Sequence, residues 1–181
     1  MASSYVSPMA EEIFDVVNDR DEVIGQAPRG QVHRQGLKHR AVHIFLFDPD
    51  GRLFIQKRAA TKDTFPGRYD SSASGHVDSG EQYDACAVRE LREELGLGVT
   101  AEGLRKDFKI DACPQTGQEF VWVYSFQGDY HPVINPAEIE RGEFLAVDAV
   151  RDLVEHHPDQ CAPSFCRIFR EAQERGLLSR Q

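Results

Sequence analysis

Residues 75–97 read GHVDSGEQYDACAVRELREELGL, and three of them, Glu90, Glu93 and Glu94, decide how the chain is understood. A helix turns about 100° per residue, so offsets of three and four return to the same side. All three carboxylates therefore project from one face. Val88, Leu91 and Leu95 fall about 100–160° away from Glu90 and suit a core. Like charges at this spacing cost a helix on the order of 0.2–0.5 kcal/mol per pair. A bound cation offsets that cost, and hard oxygen ligands at this density suit magnesium or manganese. The competing reading is an ordinary amphipathic helix with a solvated acidic face.

The flanks favour the metal. Ser79 followed by Gln82 reads as a capping box and puts the helix start near Gly80. Gly96 supplies a left-handed stop. Gly75 permits close approach of the backbone to a ligand, and its carbonyl is itself a candidate metal ligand. Arg89 can reach back to Glu81 and hold Glu90 in one rotamer. The spacing Gly, five residues, Glu, seven residues, Arg-Glu-aliphatic-any-Glu-Glu-any-Gly-aliphatic is filled by Gly75, Glu81, Arg89, Glu90, Leu91, Glu93, Glu94, Gly96 and Leu97. This resembles the Nudix box without departure. Seven fixed positions, each matched by chance about one time in 15, give on the order of 10⁻⁸ per register.

The chain has 181 residues, enough for one domain with a real core. We expect a loose tail over residues 1–10 and a single domain over 11–178. The net charge of −9 argues against a grip on a nucleic acid polymer, which needs basic surface. A small anionic substrate stays compatible, because a metal inverts the local field. The opening MASSYVSPMAEE predicts no secretory leader, and no apolar run reaches membrane-span length. The four cysteines show no framework spacing, which predicts a cytoplasmic chain with reduced thiols. His156, His157, Cys161 and Cys166 fit no usual zinc spacing, and Cys166 reads as one face of a helix.

Along the chain, Ile13–Val17 and Val23–Gly25 read as a hairpin and residues 29–36 as a helical turn. Ala41–Phe47 and Leu53–Gln56 read as strands joined by the Asp48-Pro49-Asp50-Gly51 turn. Residues 60–74 read as a loop. Phe108–Asp111 and Phe120–Phe126 form a second strand pair joined through Pro114–Gly117, and Glu143–Val147 is a further strand. Ala149–His156 and Ser164–Arg175 are helical. Mixed strands with helices on either side imply an α/β/α sandwich. The Nudix resemblance independently implies that fold, with a mixed β-sheet.

Residues 11–175 are similar, more narrowly, to the Nudix branch related to isopentenyl diphosphate isomerase. The carrying stretches are His39-Arg40-Ala41-Val42, Gln56-Lys57-Arg58-Ala59, Pro66-Gly67-Arg68-Tyr69, Ser74-Gly75-His76 and Gly117-Gln118-Glu119. In the isomerases a cysteine stands where this chain has Ser74, and it works with a later glutamate that matches Glu119. A serine hydroxyl is a far weaker acid than a thiol, so proton delivery to an alkene fails there. The isomerases also hold a metal through two upstream histidines and a third that matches His76. His33 and His39 lie near the upstream positions, one residue closer together than expected, and each is equally readable as a surface or strand-edge histidine.

The resemblance therefore implies a pyrophosphohydrolase acting on a nucleoside diphosphate-linked or related small molecule. Glu90 and Glu94, helped by Glu93 and the Gly75 carbonyl, would hold Mg²⁺ or Mn²⁺ and place a water for attack at phosphorus. Lys57 and Arg58 are the candidate phosphate clamps, with Arg68 behind them. The general base is Glu93 inside the box or Glu119 outside it. Phe65, Tyr69, Trp122 and Tyr124 are candidates for base stacking, and equally for the core. Cys86, on the carboxylate side, reads as a space filler. A homodimer is the assembly that the resemblance suggests. Two alternatives stand beside hydrolysis: isomerase-type activity, and a non-catalytic nucleotide-binding domain.

Overall fold

The computed structural model describes residues 11–178, so the expected tail over 1–10 lies outside it. Two antiparallel strands, β1 (Ile13–Val17) and β2 (Val23–Pro28), lead into the short helix α1 (Arg29–Gln35). The main sheet has seven strands built around β3 (His39–Phe47). Along its whole length β3 pairs in parallel with β8 (Glu119–Gln127), and β8 pairs antiparallel with β7 (Arg105–Ile110). On its other side β3 changes partner. β6 (Ala73–His76) covers its first half, and β4 (Leu53–Arg58) meets it only at Phe47. β4 then pairs with β5 (Tyr69–Asp70) and β9 (Ile139–Leu145). The sheet thus forks. The Ser72 hydroxyl bridges the fork, accepting from the Leu46 N–H (2.8 Å) and donating to the Phe54 carbonyl (2.5 Å).

Side chains alternate across a strand, and the core follows that period. Val42, Ile44 and Leu46 pack against Ala87, Leu91 and Leu95 of α2 (Tyr83–Leu95). Ala41, Phe45 and Phe47 face the other way, onto α3 (Val147–His156) and α4 (Pro163–Glu174), which contribute Val150, Val154, Phe165, Ile168 and Phe169. Each fully buried valine, leucine, isoleucine or phenylalanine among them contributes about 1.5–3 kcal/mol. The result is the expected α/β/α sandwich with a mixed sheet. Among the described residues no helix is long and apolar enough to cross a membrane.

Four local expectations need correction. Helix α2 begins at Tyr83 rather than near Gly80, and no side chain caps it. The Ser79 hydroxyl instead donates to Asp15 on β1 (2.8 Å), so a tertiary partner takes the group that a local cap would have used. Val88 is only half-buried, whereas Cys86 and Ala87 are fully buried. The stretch 60–74 is not all loop, since β5 and the start of β6 fall within it. The strand expected at Glu143–Val147 is Ile139–Leu145, and Val147 already opens α3.

Candidate active site

Two of the three carboxylates in the acidic stripe of α2 are withdrawn from solvent. Glu90 and Glu94 are 8% and 6% exposed, held between the helix and the fork in the sheet. Burial pushes Glu90 up to about 7. Burial, and then the neighbouring Glu90 charge, pushes Glu94 up to about 8. Glu94 accepts from the Gln56 side-chain amide (2.8 Å) and from the Ser74 N–H (3.3 Å). Gly75 runs directly beneath Glu90: a Cβ there would lie 2.0 Å from the carboxylate oxygen Oε1. Two buried carboxylates over a cradle open only to glycine match a divalent cation, which stabilises both ionised forms and accepts hard oxygen donors.

Arg89 spends its fork on positioning. It donates to both Glu81 oxygens (2.9 Å each), to Glu90 (2.7 Å), to Glu93 (3.2 Å) and to the His76 carbonyl (3.0 Å). Planar five-donor geometry makes arginine suited to such a bracket. Glu93 stays exposed at the rim, with 55% of its side chain accessible.

These carboxylates and Arg89 share a cavity of about 610 Å³ with three further cations: Arg29, Arg58 and Lys62. Arg58 is aimed by Asp70 (3.1 Å) and the Thr64 carbonyl (3.1 Å). Arg29 pairs with Asp63 (2.9 Å), and Lys62 pairs with Glu138. Arg29 and Lys62 were missed in the sequence because neither belongs to a motif and the cavity gathers them from separate segments. Lys57 is not brought here. Adjacent strand residues point to opposite faces, and Lys57 pairs with Glu140 (3.0 Å) outside the cavity. Lys57→Ala is therefore expected to leave kcat/KM within about threefold, since an exposed ion pair carries little energy. A loss beyond tenfold in steady-state assays would return Lys57 to the site. Arg68 reaches the Cys161 carbonyl (3.4 Å) and the Phe65 ring rather than the cavity wall.

Of the four aromatic candidates, Phe65 lines the cavity and is 43% exposed. Tyr124 is buried and its hydroxyl donates to Asp84 (2.5 Å). Trp122 and Tyr69 pack against opposite core faces. Cys86 is a buried filler whose thiol donates to the His76 carbonyl (3.3 Å). Cys161 and Cys166 lie in the core while His156 and His157 are exposed, so these four do not converge.

A second donor cluster lies at the end of β3. One ligand atom each from His33, His39, His76 and Glu119 falls within 4.8 Å of all the others. Strand register creates it: His39 pairs with Glu119, and His76 pairs with Ala41. Between the two upstream histidines Gly36, with a positive φ of 60°, ends α1. His76 Nε2 lies 2.9 Å from Glu119 Oε1. His39 Nε2 is buried with no hydrogen-bond partner and stands 3.5 Å from the same oxygen. That orphaned nitrogen, beside imidazole and carboxylate donors, fits a cation. Burial works against ionisation of Glu119, but His39 and His76 outweigh it and hold the carboxyl well below its usual range.

Residues 37–165 match the NUDIX domain model. An uncharacterized Nudix hydrolase of Streptomyces coelicolor is 49% identical over 114 residues, which span 62% of this chain and 61% of that relative. An isopentenyl-diphosphate Delta-isomerase 2 of Photorhabdus laumondii is 34% identical over 161 residues, covering 88% of this chain and 91% of the relative. The crystal structure of a Deinococcus radiodurans protein superposes with a TM-score of 0.79 at 32% identity, covering 88% of this chain and 98% of the other. With the box, the sandwich and these relatives in agreement, the chain belongs to the Nudix hydrolase family.

Proposed function

We propose that the protein hydrolyses a phosphoanhydride bond in a nucleoside diphosphate-linked or related small molecule, by water attack at phosphorus, using Mg²⁺ or Mn²⁺. The observation that carries this reading is the buried Glu90–Glu94 pair sharing one cavity with Arg29, Arg58 and Lys62. Glu90, Glu94 and the Gly75 carbonyl would hold the metal, with Glu93 at the rim. A divalent ion held there supplies charge neutralisation and an acidified water. Arg89 keeps Glu90 and Glu81 in place. Arg58, oriented by Asp70, and the nearby Arg29 and Lys62 neutralise phosphate oxygens and align the anhydride, which is most of what phosphoryl transfer requires. Phe65 offers a flat apolar surface for a base at the cavity wall. With its thiols free, the enzyme is proposed to work in the cytoplasm.

The test is a panel of nucleoside di- and triphosphates, nucleotide sugars, dinucleoside polyphosphates and coenzyme A, with magnesium or manganese and detection of released phosphate. Turnover of at least one anhydride is expected, and silence across the panel with both metals would reject the reading. Isomerase chemistry is the second reading, favoured by the histidine–Glu119 cluster and opposed by Ser74. Deuterium exchange from solvent into isopentenyl diphosphate would establish it.

A further inference from the structure

His43 belongs to the cavity wall, and none of the roles above employs it. It lies on β3, on the face it shares with His39 and Ala41, and is 4% exposed. Its Nδ1 is 2.5 Å from the Ser71 hydroxyl oxygen, and that hydroxyl lies 3.3 Å from Asp70 Oδ1. Asp70 also accepts from the Ser71 N–H (2.8 Å) and from Arg58 (3.1 Å). A carboxylate paired with arginine only accepts hydrogen bonds. The Ser71 proton therefore turns toward Asp70, and the Ser71 oxygen receives the Nδ1–H of His43. Asp70 Oδ1, 3.7 Å from Nδ1, favours the same tautomer by its charge. Nε2 is left with its lone pair, on a ring that lines the cavity. Burial lowers the pKa of the ring, which keeps it neutral. The other carboxylates have partners of their own: Glu119 lies against two histidines, Glu93 pairs with Arg89 at 3.2 Å, and Glu90 and Glu94 would hold the metal.

We propose that His43 Nε2 is the proton acceptor for the water that attacks phosphorus, with Ser71 and Asp70 as positioning residues that fix its tautomer. The inference rests on the hydrolase reading above. As the water oxygen bonds to phosphorus, the bond from phosphorus to the bridging oxygen breaks. Its electron pair leaves with the departing phosphate, and the water proton passes to Nε2. An orienting third group behind a base is the general logic of such relays.

The test uses the full chain with magnesium and the best substrate of the panel. His43→Ala is expected to lower kcat about a hundredfold with KM little changed, and added imidazole should restore much of the loss. His43→Gln should be equally slow, and Ser71→Ala about tenfold slow. Nitrogen-15 spectra of the wild-type histidines should show His43 protonated at Nδ1. A kcat within threefold of wild type in His43→Ala, a defect that imidazole leaves untouched, or an Nε2–H tautomer would each overturn the proposal. The spectrum requires no variant to fold. A wild type that hydrolyses nothing overturns the hydrolase reading and this inference together, whereas failure of the inference alone leaves wild-type turnover intact.

Discussion

Glu94→Gln is expected to lower kcat by about three orders of magnitude, the upper range for removing one preorganised electrostatic contact. The substitution keeps the size of the side chain but removes the charge that a divalent ion needs. Its second signature is in stability. The folded-state pKa of Glu94 is raised to about 8 from an ordinary value of 4.5. A carboxyl raised on folding favours the native state while protonated in both states, so its contribution is complete below the unfolded pKa. It is lost as pH rises through the window from 4.5 to about 8. Glu90, raised to about 7, acts in the same direction. Metal-free wild type should therefore melt lower at pH 8 than at pH 5, by on the order of 5 °C. The glutamine variant should lose part of that slope, and magnesium should restore wild-type stability at pH 8. Thermal melts across pH, with and without magnesium, check this. Wild-type turnover in the variant would remove Glu94 from the metal site.

Gly75→Ala is expected to cost roughly 10²–10³ in kcat/KM, because it acts on the same carboxylate cage. The new Cβ would sit 2.0 Å from Glu90 Oε1, 2.1 Å from its Cδ and 2.7 Å from Oε2. Glu90 cannot easily yield, since Arg89 grips it at 2.7 Å and Arg89 is itself pinned by Glu81. Something must shift, and the least rigid answer is displacement of Glu90 from the cage. Magnesium affinity should fall about 10–100-fold, the range seen when a ligand loses its orientation. Gly25→Ala is the matched control, because a Cβ there meets nothing within 4 Å. Calorimetry with magnesium, run beside the kinetics, separates a lost metal from a lost fold. Equal magnesium binding by Gly75→Ala and wild type would argue against the cage.

Local patterns carried much of this architecture. Ala41–Phe47 reads as a strand and the helical spacing of Leu91 and Leu95 names a buried face, and the two meet in the structure. Errors fell where a long-range partner captured a local group. Ser79 looked like a helix cap until Asp15 supplied another acceptor. Residues 69–74 looked like loop because two- and four-residue strands lack a period of their own and exist only by pairing with β3 and β4. Lys57 and Arg58 were indistinguishable as neighbouring cations, and the pleat sends one to Glu140 and the other into the cavity.

The sequence by itself determined the carboxylate stripe, which follows from residue spacing along one helix, and the sandwich, which follows from the mixture of strands and helices along the chain. Only the tertiary structure decided that Glu90 and Glu94 are buried and that Arg29, Arg58 and Lys62 share their cavity. It also decided that His33, His39, His76 and Glu119 converge, and that His43 stands on a Ser71–Asp70 relay. Those juxtapositions depend on strand register and on the fork in the sheet, which join residues far apart in the chain. Hydrogen bonds between strands set that register, and no local periodicity encodes which strands will meet.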